Sequence, residues 1–70
     1  MTSNSAPATE FPRSIGKVAA RELALAGYTR YEQLTRVSKR TLLAIHGVGP
    51  KAVRILEEEL NGRGLRFEDN

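Results

Sequence analysis

The sequence has no cysteine and no tryptophan, and only one histidine and one methionine. Without cysteine, neither a disulfide framework nor a thiolate metal site can hold the chain, and the cytosol is the expected compartment. A single histidine, His46, leaves a metal centre short of ligands. No apolar run approaches the roughly 18 residues that a membrane span needs, so no membrane partner is expected. The first twelve residues lack both a basic n-region and an apolar h-region, so no secretory leader is expected. A cysteine nucleophile, a convergent Ser/His/Asp set and an acid cluster in the basic half are all missing. Short helices also leave little room for an enclosed pocket. The expectation is a protein that is not an enzyme, with no cofactor and no small-molecule substrate.

What is present is an uneven charge. Residues 13–54 carry nine Lys/Arg against two acids, Glu22 and Glu32, for +7. From residue 55 onward two arginines face Glu57, Glu58, Glu59, Glu68 and Asp69, for −3, and Glu10 completes the net +3. A basic body with an acidic end suits a polyanionic partner met by one surface, nucleic acid first among them.

The opening "MTSNSAPATE" has no apolar period and reads as part of a disordered tail over residues 1–12. The folded unit is then 13–67, with 68–70 as a short C-terminal tail. About 55 residues make a marginal core, so nearly every large apolar side chain should be buried. Four helical patterns follow. In residues 14–27 Ser14 is the candidate N-cap and Gly27 the C′ residue. Ile15, Ala19, Leu23 and Ala26 form one apolar face, with Lys17 and Arg21 together on another. In 29–37 Thr29 caps, with Glu32 as its capping-box partner, and Tyr28, Leu34 and Val37 pack inward. In 38–46 Ser38 caps and Leu42 and Ile45 face the core. In 50–61 Pro50 takes the first helical position, Ala52, Val53, Leu56 and Leu60 face inward, and Asn61-Gly62 ends the helix. Leu65 and Phe67 then fold back. No strand pattern survives, so the class is all-α: a compact bundle of four to five short helices.

The most informative stretch is "LLAIHGVGPKAVRIL". Gly47 can end the preceding helix with φ > 0. Val48 anchors the turn, and Gly49 offers a backbone that another group can approach closely. The helix beginning at Pro50 has unpaired amides at the positive end of its dipole. A phosphate there could accept from the Gly49, Lys51 and Ala52 N–H groups, with the Lys51 ammonium adding charge. The plainer reading is a tight turn between two helices, which needs one glycine rather than two.

These residues resemble the helix-hairpin-helix motif: an apolar residue, Gly-apolar-Gly, a polar pair and a small residue. Val53 stands where the small residue is usual, with Ala52 just before it. From about residue 13 to 67 the chain resembles the C-terminal domain of the bacterial RNA polymerase alpha subunit, a SAM-like fold. The resemblance rests on a first helix ending in Ala-Gly, a short "YEQL" helix, a Ser-capped helix, the hairpin and "GRGLRF". It implies binding to double-stranded DNA by the hairpin and the start of the first helix. Gly49 and Lys51 match the family's phosphate-contacting residues, and Ala52 replaces a serine. The family's minor-groove arginine falls on Val18, and its asparagine on Arg21. The phosphate contacts therefore carry over, while the main residue of an AT-rich preference does not. "IGKVAAREL" also resembles a degraded second hairpin, with Gly16 alone for two glycines; a simple amphipathic helix is the other account.

The expected interface is Gly47, Val48, Gly49, Lys51, Ala52 and Arg54, supported by Lys17, Arg21, Lys39 and Arg40. Arg36 joins Lys39 and Arg40 in a basic cluster, and Arg54 could instead pair with Glu57 or Glu58. His46 packs or caps, Tyr28 and Tyr31 serve the core before they stack on bases, and Glu57, Glu58 and Glu59 form a solvated face. The expected function is binding of double-stranded DNA, largely without sequence preference, by a nucleoid-associated cytoplasmic protein. The alternative is a small helical protein-interaction module whose interface is the acidic last helix or Leu65 and Phe67. RNA binding through the same amides is a third reading.

Overall fold

The computed structural model describes residues 9–69. Residues 1–8 of the expected N-terminal tail, and Asn70, lie outside the described residues. Every regular element among the described residues is helical: a 3₁₀ turn at Arg13–Ile15, α1 (Lys17–Leu25), α2 (Tyr31–Leu34), α3 (Lys39–Leu43) and α4 (Pro50–Gly62). The all-α class expected from the sequence holds.

Local chemistry sets the boundaries. Ser14 is not the cap of α1. It lies within the 3₁₀ turn, which closes with the Gly16 N–H on the Arg13 carbonyl at 2.9 Å. Gly16 then takes φ 96° and ψ 153°, which separates the turn from the helix. At the other end Gly27 acts as expected. With φ 96° it lets its own N–H reach the Ala24 carbonyl (3.0 Å) and the Tyr28 N–H reach the Leu23 carbonyl (2.8 Å). These two bonds define a Schellman ending. Ala26, expected on the apolar face, is the exposed C-cap.

The start of α2 also differs from expectation. Thr29 does not cap through its side chain, and Glu32 is not the box partner. The helix begins one residue later, so Gln33 occupies the reciprocal position, and its Oε1 accepts from the Thr29 and Arg30 N–H groups at 2.8 and 2.9 Å. The Tyr31 N–H donates to the Glu10 carboxylate at 3.0 Å. In α3, Ser38 caps as expected, its Oγ accepting from the Thr41 N–H at 3.1 Å. That helix stops at Leu43, three residues short of the expected end. Pro50 opens α4 at its first position, as expected, and the helix ends at Gly62.

The buried set matches the helical spacing. Leu23, Leu34, Leu42, Leu56 and Leu60 are fully buried, and Tyr28, Val37 and Ile45 pack against them while partly exposed. Phe67 is 1% exposed and Leu65 packs beside the core, so the segment after α4 does fold back. Phe11 is also buried, its ring 5.1 Å from that of Tyr31 in an edge-to-face pair. The core therefore takes an aromatic residue from the stretch expected as tail. On the outside, the Arg63 guanidinium lies 4.1 Å from the centre of the Tyr31 ring. Burial first, and the Glu59 carboxylate second, push the Tyr31 hydroxyl above its usual pKa, opposed by Arg63.

Phe67→Ala should cost about 3–5 kcal/mol, a large share of what so small a core supplies. Leu25→Ala, at a side chain 75% exposed, should change stability by less than about 0.5 kcal/mol. Urea unfolding followed by far-UV circular dichroism compares the two.

Candidate nucleic-acid interface

Four α-helices begin among the described residues, and they are capped differently. Short α2 and α3 receive side-chain acceptors, from Gln33 and Glu10 and from Ser38. The two longest helices, α1 and α4, begin at glycines and have no side-chain cap. At α4 the Gly49 carbonyl accepts from the Val53 N–H at 3.1 Å, the first turn of the helix. The N–H groups of Gly49, Lys51 and Ala52 have no acceptor among the described residues. At α1 the Gly16 carbonyl accepts from the Ala20 N–H at 3.1 Å, and the N–H groups of Lys17, Val18 and Ala19 are left in the same way. These are the orphan donors of a helix start, at the positive end of the helix dipole.

The two starts share a register. The residue before each glycine is buried, Ile15 in one case and Val48 in the other. Three residues after each glycine a buried alanine follows, Ala19 and Ala52; seven after, a leucine with no exposure, Leu23 and Leu56. Five after, an arginine stands exposed, Arg21 and Arg54. Such a shared spacing is also what two amphipathic helices beginning after a glycine would show. The backbones differ, Gly16 at φ 96° and Gly49 at φ −103°.

Gly47 sets the turn before α4 against α1. It has φ 92°, and a Cβ built on it would lie 2.8 Å from Val18 Cγ1 and 3.0 Å from Glu22 Cγ. Real side chains do not approach so closely, so the turn between α3 and α4 rests its backbone directly on α1. Val18 and Glu22 are one helical turn apart on the face that meets Gly47. Lys17 and Arg21 each precede them by one residue and point about 100° further round the helix, into solvent. Gly49 is different: its backbone is extended, and an added Cβ would meet nothing within 4 Å. The fold itself does not require glycine there.

Eight of the ten sequence-predicted residues lie on the turn and on the two helices that it links by the approach of Gly47 to α1. Gly47 and Gly49 form the turn, Val48 anchors it at 5% exposure, and its N–H closes on the Ile45 carbonyl at 3.0 Å. Lys51 and Arg54 are exposed on α4, as are Lys17 and Arg21 on α1. Ala52 is buried at 5% exposure, so its side chain belongs to the core and only its N–H is offered. Lys39 is drawn elsewhere: its ammonium pairs with Glu57 at 3.0 Å and ties α3 to α4. Arg40 beside it is exposed.

Other expectations change. Glu57 and Glu59 are not merely solvated, since Glu59 pairs with Arg63 at 2.8 Å while Glu57 holds Lys39. His46 neither packs nor caps; α3 has already ended and the residue is exposed. Phe67 is buried and offers no interface. Glu22 at the seam was not anticipated, because its contact with Gly47 spans 25 positions and leaves no local signal.

None of the ten residues of the expected interface lines the open cleft of about 400 Å³ near the C-terminal end of α1, though Tyr28 and Arg36 do. Among the described residues no group of three or more His, Cys, Asp or Glu could hold a metal ion, and no helix is long and apolar enough to cross a membrane. Comparisons with protein-family models, with curated proteins and with solved structures found no match.

Gly47→Ala should lose about 1–3 kcal/mol from its left-handed backbone, with a further cost where Val18 and Glu22 must move. Gly49→Ala should stay within about 1 kcal/mol of the parent, since Ala is only a poorer cap there. Chemical denaturation midpoints of the two variants test this contrast.

Proposed function

We propose that residues 13–67 form a helix-hairpin-helix domain, similar to the C-terminal domain of the bacterial RNA polymerase alpha subunit. In this reading it binds double-stranded DNA through backbone phosphates, largely without sequence preference. The observation that carries the reading is the pair of uncapped glycine starts, of α1 and α4, joined at Gly47. Backbone N–H groups at a helix start are ready donors to an anion, and exposed Lys51, Arg54, Lys17 and Arg21 add positive charge on the same two helices. Gly49, which the fold does not need, leaves room for a phosphate to approach the backbone. The side chain of Lys39 is committed to Glu57 and adds little to this surface.

Phosphate contacts position a protein on a duplex without reading bases. Three to five such contacts give a slope of log K against log salt of roughly −3 to −4.5, at about −0.9 per phosphate. Affinity near physiological salt falls on the order of 10⁻⁴ to 10⁻⁶ M. A module of this strength gains usable affinity by dimerising or by riding on a partner. In a bacterial cell it would sit with the nucleoid. The competing reading, a protein-interaction module, is favoured by Leu25, which is 75% exposed on α1.

An amide NMR titration of the labelled protein with a short mixed-sequence duplex tests the proposal. The amides of residues 47–54 and 16–19 should shift most, and less as salt rises. Lys51→Glu should abolish the shifts while the protein stays folded. Stationary hairpin amides at low salt, with shifts around Leu25 on adding a protein partner, would instead support the interaction module. Duplex RNA competing as well as duplex DNA would support the RNA reading.

A further inference from the structure

The open cleft of about 400 Å³ near the C-terminal end of α1 shares no residue with the surface described above. Arg30 and Arg36 line it, both exposed and neither in an ion pair among the described residues. Gln33 lines it too. The Oε1 of that side chain is taken by the Thr29 and Arg30 N–H groups, at 2.8 and 2.9 Å, which fixes the end of the amide that carries the donors. Its NH₂ group donates to nothing among the described residues. Two guanidinium groups and an oriented amide thus stand in one cleft with their hydrogens unused. The cleft also holds acceptors. The Glu32 carboxylate has no ion pair, and the Gly27 carbonyl, just past the end of α1, accepts no bond among the described residues.

We propose that this cleft docks a short acidic peptide segment of another protein. Carboxylates of the segment meet Arg30 and Arg36, and its backbone N–H groups meet Glu32 and the Gly27 carbonyl. Two arginines against one acid select an anionic ligand, and the planar guanidinium fork matches a carboxylate with two parallel hydrogen bonds. The acceptors decide between peptide and nucleic acid. A phosphodiester backbone has no donor to give them, and it is repelled both by Glu32 and by the negative end of the α1 dipole. A peptide brings an N–H at nearly every residue. The openness of the cleft suits a chain segment lying across it, whereas a small molecule needs most of its surface enclosed. Nothing in this cleft depends on the DNA-binding reading. The nine residues of α1, about 13 Å of helix, separate it from the glycine start of that helix.

The test is an amide NMR titration of the labelled full chain with a short Gly-Ser peptide bearing four glutamates. The same peptide with glutamines in their place, and a single-stranded oligonucleotide of equal charge, are the controls. With the acidic peptide the amides of residues 27–37 should shift more than those of 16–19 and 47–54, and the glutamine peptide should bind at least about fivefold more weakly. Arg30→Gln and Arg36→Gln should each weaken binding about three- to tenfold, the effect of one charge contact in solvent-rich surroundings. Gln33→Glu keeps an acceptor for the two N–H groups, removes the donor and adds a negative charge, so it should weaken binding by a similar factor with the fold intact. Lys51→Glu, outside the cleft, should leave peptide binding within about twofold of the parent. Stationary amides at 27–37, larger shifts at 47–54, or binding unchanged by both arginine substitutions would overturn the proposal. So would an oligonucleotide that moves the 27–37 amides more than the peptide does, which would make the cleft a nucleic-acid contact instead.

Discussion

The close approach of Gly47 to α1 is the contact on which the rest of this surface depends. With a hydrogen in place of a side chain, the turn before α4 settles against Val18 and Glu22. A larger residue there would have to displace Val18 and Glu22 and would sit in a left-handed backbone that L side chains rarely adopt. The buried residues Ile15 and Val48, each just before a glycine, hold the two starts to the core from below. A position-specific lack of side chain thus organises a surface of charged ones.

Local signals were legible in the sequence, and distant ones were not. Ser38 as a cap, Pro50 at a first helical position and Gly27 after α1 each act through neighbours within a few residues, and each was read correctly. The start of α1 was misplaced because nothing local shows that Gly16, rather than Ser14, makes the break. The cap of α2 was misread because one acceptor comes from Glu10, 21 positions away, and the other from Gln33 after a one-residue shift. Phe11 sits beside a Pro- and Ser-rich stretch, and its role is visible only against Tyr31. The turn between α3 and α4 was legible because its glycine and proline demands are local. Glu22 and the Lys39–Glu57 pair join elements far apart in sequence, so composition cannot reveal them.

The acids and bases sort by place as well as by number. In the last helix two of three successive glutamates take basic partners from within the fold, Lys39 for Glu57 and Arg63 for Glu59. The exposed Glu59–Arg63 pair adds little stability, and the partly buried Lys39–Glu57 pair is also reached by solvent. They do keep acid charge occupied near α4's middle and end, away from its start. The field at the start is then set by Lys51 and Arg54 and by the dipole of a 13-residue helix.

The four-residue α2 is clipped at both ends by the flanks of the domain. The Glu10 N–H donates to the Thr29 carbonyl just before it, and the Glu68 N–H donates to the Val37 carbonyl just after it, both at 2.9 Å. So short a helix has no stability of its own. During synthesis, residues 31–34 are made well before residues 67–69 exist to hold them. The middle of the domain must therefore wait, unpacked, for its far edge, and the globule closes late and nearly at once rather than growing helix by helix.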